Sequence, residues 1–187
     1  RGLGDVYKRQ LPHPVQQCLA KALRKGLTMA QHGVAQLKLQ PGDAEGMRVA
    51  VISALWNADI TDQLHARSIE VAKEAGAQVV DWRVAGALEL PVAVAEACES
   101  FDVVVANGCV IEGETDHYRL VCDAVTYGLS RIALDQRTPV GNGVLTVSNH
   151  QQALDRAGGQ GAKEDKGADA ATAAIHTALV IREIGEH

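Results

Sequence analysis

The stretch DVVVANGCV at residues 102–110 is the most hydrophobic of four strand-like runs in the chain. Its three consecutive valines, without apolar–polar alternation, predict a strand that is buried on both faces. Strands of this kind occur in parallel sheets whose two faces are covered by helices. The stretch therefore predicts an α/β fold.

Three similar runs stand on either side of it, separated by segments in which apolar residues recur at helical spacing. The runs are MRVAVISA at 47–54, AQVVDWRV at 77–84 and PVGNGVLTV at 139–147. Helices are predicted over 59–75, 90–100, 115–132, 149–156 and 166–184. Strands joined by helical crossovers are parallel, so this order predicts a three-layer sandwich around a four-stranded parallel sheet in flavodoxin-like order.

Two helix starts carry residues that are typical helix caps. Thr115 and Asn149 have short polar side chains that can accept hydrogen bonds from the free N–H groups of a first helical turn. In the helix after Thr115, four residues are expected to face the core: Leu120, Ala124, Tyr127 and Ile132.

Composition and charge exclude several classes of function. The 187 residues are 47% hydrophobic and 22% charged, as in globular proteins. An aromatic content of 3% and a net charge of −5 argue against a nucleic-acid partner. No apolar run approaches the roughly 20 residues that span a bilayer, so no membrane partner is expected.

The cysteines and histidines indicate a reducing compartment and no metal centre. The four cysteines, at 18, 98, 109 and 122, form no CxxC pair, and the last three are expected to be buried free thiols. No HExxH motif or cluster of ligands is present in the sequence. We therefore expect a cytoplasmic protein that needs no metal or other cofactor.

The first part of the chain differs from the rest. Residues 1–28 carry six Lys or Arg residues and one acidic residue, Asp5, and residues 40–46 read QPGDAEG, a turn-rich linker. We expect residues 1–45 to be an extension and residues 46–187 to be the folded domain. We expect residues 1–28 to be upstream or non-native sequence without a functional role.

Candidate functional residues follow the strands, because ligands of parallel sheets bind beyond the carboxyl ends of the strands. Trp56 could stack on a planar heterocycle or be an ordinary core or rim residue. Glu89 could accept hydrogen bonds from hydroxyls or be only an acid at a helix start. Gly113 would let a ligand approach the backbone, and His117 could transfer protons near neutral pH or be a surface histidine.

Two cations could add an anion site. Arg156 and Lys166 flank the glycine-rich segment GGQGAKED at 158–165, which lacks the GxxxxGK[ST] spacing of a P-loop. A guanidinium and an ammonium suit phosphate, although both could equally be solvated charges at helix ends. Together with Trp56, Glu89 and His117, they suit a heteroaromatic ligand with a polyol arm that reacts beside a phosphate.

The segments that contain these residues resemble the 6,7-dimethyl-8-ribityllumazine synthase family, most closely its actinobacterial branch. The matching segments are LWNADITDQL (55–64), GALELP (86–91), NGCVIEGETDHY (107–118), NGVLTVSNHQQALDRAG (142–158) and EDKGADAATAA (164–174). The resemblance covers about residues 33–187. It implies condensation of 5-amino-6-(D-ribitylamino)uracil with 3,4-dihydroxy-2-butanone 4-phosphate, in riboflavin biosynthesis, without a cofactor.

The resemblance also implies a role for each candidate residue. Trp56 would stack on the pyrimidinedione with Asn57 beside it, and His117 would be the catalytic acid/base. Further substrate-binding positions are Ala87, Leu88 and Glu89 around the ribityl chain, Val110 and Ile111, and Gly113, Glu114 and Thr115 in the phosphate-binding loop. Asn142, Arg156 and Lys166 would reach in from a neighbouring subunit, with the last two on the phosphate, so the site would exist only in a homo-oligomer.

One residue departs from the family pattern, and two other functions stay open. Glu112 stands where the family commonly has arginine, and we expect it to point to solvent. The 158–165 segment resembles the longer form of members that stop at pentamers, which predicts a homopentamer. The alternatives are a non-catalytic relative that binds lumazine or riboflavin, and a flavodoxin-like binding domain.

Overall fold

The computed structural model describes residues 37–187. The expectations for residues 1–28 and for Cys18 lie outside the described residues. Four strands form one sheet, namely β1 (Arg48–Ala54), β2 (Gln78–Val84), β3 (Val103–Ile111) and β4 (Val140–Val147). All neighbouring strands are parallel, in the order β2-β1-β3-β4. This confirms the predicted α/β class and strand order.

Helices cover both faces of the sheet. They are α1 (Ala58–Glu74), α2 (Leu90–Cys98), α3 (His117–Gln136), α4 (His150–Leu154) and α5 (Lys166–Gly185), with a 3-10 turn at Ala87–Glu89 before α2. One face packs against α1 and α5, and the other packs against α2 and α3. The three layers are therefore as predicted, and no helix in residues 37–187 is long and apolar enough to cross a membrane.

Strand β3 has the double-sided burial that its sequence predicts. Val103 and Val105 belong to the core on the α1/α5 side, whereas Val104 and Ala106 belong to the core on the α2/α3 side. All four are fully buried. Alternation of side chains between the two faces explains why an uninterrupted apolar run was needed here.

The start of α3 differs from the prediction. The helix begins at His117, and its capping position is Asp116, whose side chain makes no capping hydrogen bond. The prediction that Thr115 caps this helix is wrong, because the chain bends at residues 114–115 before the helix starts. The prediction for Asn149 is confirmed, since its Oδ1 accepts a hydrogen bond from the Gln152 N–H at 3.0 Å.

The inner face of α3 is also rotated from the predicted one. Val121, Val125 and Leu129 are buried, whereas Leu120 and Tyr127 are 57% and 71% exposed and Ala124 is also exposed. Of the four residues predicted to face the core, only Ile132 packs against it. The observed face is compatible with the packing of Gly128, where an added Cβ would lie 2.9 Å from the Pro91 ring on α2. This close approach leaves no room for a side chain at position 128 on the face that meets α2.

Candidate active site

The ring of Trp56 lies beyond the end of β1, against a glycine from the next loop. It is 69% exposed, so it is not a core residue. A Cβ added at Gly86 would lie 2.8 Å from Cε3 of the ring and 3.1 Å from Oε2 of Glu89. Gly86 therefore lets the indole and the carboxylate approach the same stretch of backbone.

Glu89 has one structural hydrogen bond at this position. Its Oε2 accepts from the Gly86 N–H at 2.9 Å, which closes the 3-10 turn that leads into α2. The carboxylate is otherwise exposed. The two interpretations of Glu89 are thus compatible, because an acid that organises the turn is also held beside the Trp56 ring.

Asn57 fixes the loop that carries Trp56. Its backbone is left-handed, with φ of 58°, which asparagine tolerates better than most residues. Its Nδ2 donates to the Cys109 carbonyl on β3 at 3.0 Å, and its own carbonyl accepts from Ile60 and Thr61 at the start of α1. The residue therefore ties the ends of β1 and β3 together.

The segment after β3 presents backbone and polar side chains at the same end of the sheet. Val110 and Ile111 are half-buried and pair with Thr146 and Val147 of β4. The following candidates are exposed: Gly113, Glu114, Thr115 and His117, as is Glu112. A Cβ at Gly113 would meet no atom within 4 Å, so packing inside the subunit does not require glycine there.

These residues form one set, which we call the carboxyl-end group. Its members lie at or beyond the carboxyl ends of β1, β2 or β3. They are Trp56, Asn57, Ala87, Leu88, Glu89, Val110, Ile111, Gly113, Glu114, Thr115 and His117.

The remaining three candidates form a second set, the edge-strand group: Asn142, Arg156 and Lys166. They line one cavity of about 230 Å³ that runs along β4, the edge strand of the sheet. Asn142 is exposed, and its Oδ1 accepts from the Val144 N–H at 3.0 Å. The structure therefore brings together the three residues that the resemblance predicts to reach into a neighbouring subunit's site.

Both cations of the edge-strand group face one carboxylate. Lys166 Nζ lies 2.7 Å from Glu164 Oε2, and Arg156 Nε lies 3.7 Å from Glu164 Oε1. Lys166 also pairs with Asp169 at 3.0 Å. The hydrogen bond from Lys166 lowers the pKa of Glu164, and the bond to Glu164 raises the pKa of Lys166. Both cations thus have an acidic partner within the subunit, and their assignment to phosphate stays a prediction.

Glu164 is the residue of this region that sequence reasoning missed. Its position in the sequence could have indicated the pairing, because Glu164 lies between the two cations and two residues before Lys166. Its pairing depends on the path of the 158–165 segment, which spacing alone does not give. No side-chain hydrogen bond or ion pair within residues 37–187 joins the edge-strand group to the carboxyl-end group.

The thiols and possible metal ligands are separate from both groups. Cys98, Cys109 and Cys122 are free, and the first two are buried. Burial, with a smaller contribution from Asp59, raises the pKa of Cys109 to about 11, so this thiol is a poor nucleophile. Within the described residues there is no group of three or more His, Cys, Asp or Glu that could hold a metal ion.

Comparisons with known proteins cover both groups of candidate residues. A family model described as 6,7-dimethyl-8-ribityllumazine synthase matches residues 46–182. A protein of that name from Corynebacterium jeikeium (strain K411) is 74% identical over 156 residues, which is 83% of this chain and 98% of the relative. One from Corynebacterium urealyticum is 70% identical over the same shares. One from Mycobacteroides abscessus is 49% identical over 157 residues, 83% of this chain and 97% of the relative.

Proposed function

Because this chain belongs to the 6,7-dimethyl-8-ribityllumazine synthase family, we propose that it condenses 5-amino-6-(D-ribitylamino)uracil with 3,4-dihydroxy-2-butanone 4-phosphate. The chain is an enzyme, a transferase of riboflavin biosynthesis. The amine and the ketone form an imine with loss of water, phosphate leaves, and ring closure releases a second water. The family match over residues 46–182, which include every candidate residue, carries the proposal.

The part of the carboxyl-end group around Trp56 and Glu89 is assigned to the pyrimidine substrate. The exposed Trp56 ring offers a face for stacking on the pyrimidinedione, which is worth about 0.5–1.5 kcal/mol beyond area burial. Glu89 is held beside that ring by its bond to Gly86, and its carboxylate can accept hydrogen bonds from ribityl hydroxyls. Ala87, Leu88, Val110 and Ile111 would line the same substrate.

His117 is assigned to the proton transfers of the reaction. It is the first residue of α3, it is exposed, and no side-chain partner binds it within residues 37–187. A histidine titrates near neutral pH and can both accept and donate protons. General acid–base catalysis contributes about 10²–10⁴-fold to a rate, and positioning of the two substrates supplies much of the rest.

The phosphate is assigned to two elements from two subunits. Gly113, Glu114 and Thr115 would supply backbone N–H groups, and Arg156 and Lys166 of a neighbouring subunit would supply charge, with Asn142 beside them. Within residues 37–187 of one subunit, no side-chain hydrogen bond or ion pair joins the two groups, which supports this assignment. We therefore propose a cytoplasmic homo-oligomer, a pentamer, whose sites lie between subunits.

Exposed apolar side chains on α3 support burial of that helix against another copy. Leu120, Tyr127 and Leu134 are 57%, 71% and 75% exposed. Large apolar side chains that lie open on one helix are typical of a surface that is covered in an assembly. The rotation of α3, which turns its valines inward, is what leaves these residues outside.

The direct test is to mix the two substrates with the protein and to follow lumazine absorbance, with the mass in solution measured in parallel. Turnover by a particle of five chains' mass is expected. Tight riboflavin binding without turnover would instead identify a non-catalytic binding protein. A monomeric particle with full activity would contradict the shared site.

Complementation between two variants tests the shared site more sharply. His117→Ala removes a residue of the carboxyl-end group, and Arg156→Ala removes one of the edge-strand group. When the two variants are co-expressed and assemble at random, about a quarter of the interfaces regain both residues. Activity well above that of either variant alone is expected. If each site lay within one chain, co-expression would restore nothing.

A further inference from the structure

The carboxylate of Glu164 lies between the two cations of the edge-strand group. Its Oε2 is 2.7 Å from Lys166 Nζ, and its Oε1 is 3.7 Å from Arg156 Nε. Each oxygen thus faces a different cation, as two oxygens of a bound phosphate would. All three side chains are partly exposed, so an incoming anion can reach them.

The backbone keeps these three residues together. The Lys166 N–H donates to the Arg156 carbonyl at 3.0 Å, and the Gly158 N–H donates to the Glu164 carbonyl at 3.1 Å. Ala157 and Asp165 form an antiparallel bridge between them. The pairing of Glu164 with the two cations is therefore a consequence of a closed loop and not of one flexible side chain.

The other charged residues of this loop have partners elsewhere. Lys163 Nζ pairs with Asp155 Oδ2 at 2.5 Å, and Asp165 Oδ2 accepts from Arg67 Nε at 2.6 Å. Asp165 Oδ1 also caps α5 through the Ala168 N–H. Among the acids of residues 155–165, Glu164 is consequently the one placed on both cations.

On the proposed function, Arg156 and Lys166 bind the phosphate of the second substrate, and the inference rests on that assignment. We propose that Glu164 is an internal competitor of this phosphate, which occupies the position between the two cations and is displaced when a phosphate binds. Its return when phosphate has left the substrate favours release of the inorganic ion. Glu164 thereby sets the affinity for phosphate and does not take part in the proton transfers.

The test compares inorganic phosphate binding to the assembled wild-type enzyme and to Glu164→Gln by isothermal titration calorimetry. Glutamine keeps the size of the side chain and removes its charge. Because partly exposed ion pairs are worth about 0.2–1 kcal/mol each, loss of the two pairs made by Glu164 is expected to tighten phosphate binding about twofold to thirtyfold. The KM for the phosphate substrate is expected to fall, with the KM for the pyrimidine unchanged.

Asp155→Asn is the matched control. It removes the same charge from the same loop, but its carboxylate pairs with Lys163, so phosphate binding within about twofold of wild type is expected. Weaker or unchanged binding by Glu164→Gln, an equal gain in Asp155→Asn, or no phosphate binding by either protein would overturn the proposal. The titration needs no turnover, so a wild type that makes no lumazine refutes the proposed function separately.

Discussion

The two groups of candidate residues are held in different ways. In the carboxyl-end group, Trp56 and Glu89 are placed by backbone contacts at Gly86 and keep exposed surface for a ligand. In the edge-strand group, Arg156 and Lys166 are already paired with Glu164. A ligand can therefore add to the first group directly, whereas an anion must replace existing ion pairs in the second.

Because of this difference, we expect the chemical step and the affinity for phosphate to depend on different residues. Residues without internal partners can meet the reacting atoms with little rearrangement, which favours positioning and proton transfer. Cations that exchange one anion for another give up part of their binding energy, which favours turnover over tight retention of phosphate. Changes at Trp56, Glu89 or His117 of the first group should alter kcat or pyrimidine binding, and changes in the second group should alter phosphate binding.

The largest expected effect is that of His117→Ala on kcat. The imidazole is the titratable group of the carboxyl-end group best suited to move protons at neutral pH, so its loss should lower kcat about 10²–10³-fold. The side chain is exposed and makes no hydrogen bond within the described residues. The free energy of unfolding and the mass of the oligomer should therefore stay at wild-type values in urea titration and light scattering.

His150→Ala serves as its control. His150 is also an exposed first residue of a helix, α4, but it pairs with Asp59 at 2.5 Å and belongs to neither group. Its kcat should match wild type. Equal losses of kcat in the two variants would show that a histidine at a helix start acts only on structure. An unchanged kcat in His117→Ala would remove the catalytic assignment of His117.

The sequence was sufficient for the sheet and for the position of the carboxyl-end group, because both follow from local pattern. Apolar runs such as 102–110 mark buried strands, and the ends of parallel strands meet at one edge. The inner face of α3 was not predictable, since it depends on packing against another helix, where Gly128 meets Pro91. The role of Glu164 depends likewise on how a loop closes.

A smaller effect is expected from Gly86→Ala, which acts on the carboxyl-end group alone. The new Cβ would lie 2.8 Å from the Trp56 ring, so the ring must move from its present position. Loss of stacking worth about 0.5–1.5 kcal/mol should raise the KM for the pyrimidine about twofold to tenfold. Inorganic phosphate binding, which depends on the edge-strand group, should stay unchanged in the same titration.

Gly113→Ala tests the phosphate-binding segment in the way that Gly86→Ala tests the pyrimidine contacts. Its Cβ meets no atom of the subunit within 4 Å, so it should leave the free energy of unfolding unchanged. If Gly113 borders the phosphate, this variant should raise the KM for the phosphate substrate and leave that for the pyrimidine unaltered. Gly86→Ala should do the reverse. Identical kinetic effects from the two glycine variants would mean that, within the carboxyl-end group, the phosphate-binding segment and the pyrimidine contacts are not independent.

A buried polar network connects elements that carry members of both groups. Ser53 Oγ on β1 is 2.8 Å from His65 Nδ1 and 3.3 Å from Asn107 Nδ2. Asn107 Nδ2 also donates to Ser68 Oγ at 3.0 Å, and that hydroxyl lies 2.9 Å from the Gly167 carbonyl. The network thus connects the strand that leads to Trp56 with the helix start that carries Lys166.

The smallest expected effect is a pH dependence of stability through His65. Burial, together with the charge of Arg83, lowers the pKa of His65 from its ordinary value of 6.5, against the opposing effect of Asp81. The unfolded chain therefore binds a proton more readily than the folded one below pH 6.5, so stability is present above that pH and is lost as the pH falls.

In urea titrations at fixed protein concentration, His65→Asn should be less stable at high pH but should lose less stability on acidification than wild type. His176→Asn, at an exposed position on α5, should keep the wild-type slope. An equal loss of stability on acidification in wild type and in both variants would assign the pH dependence to groups other than His65.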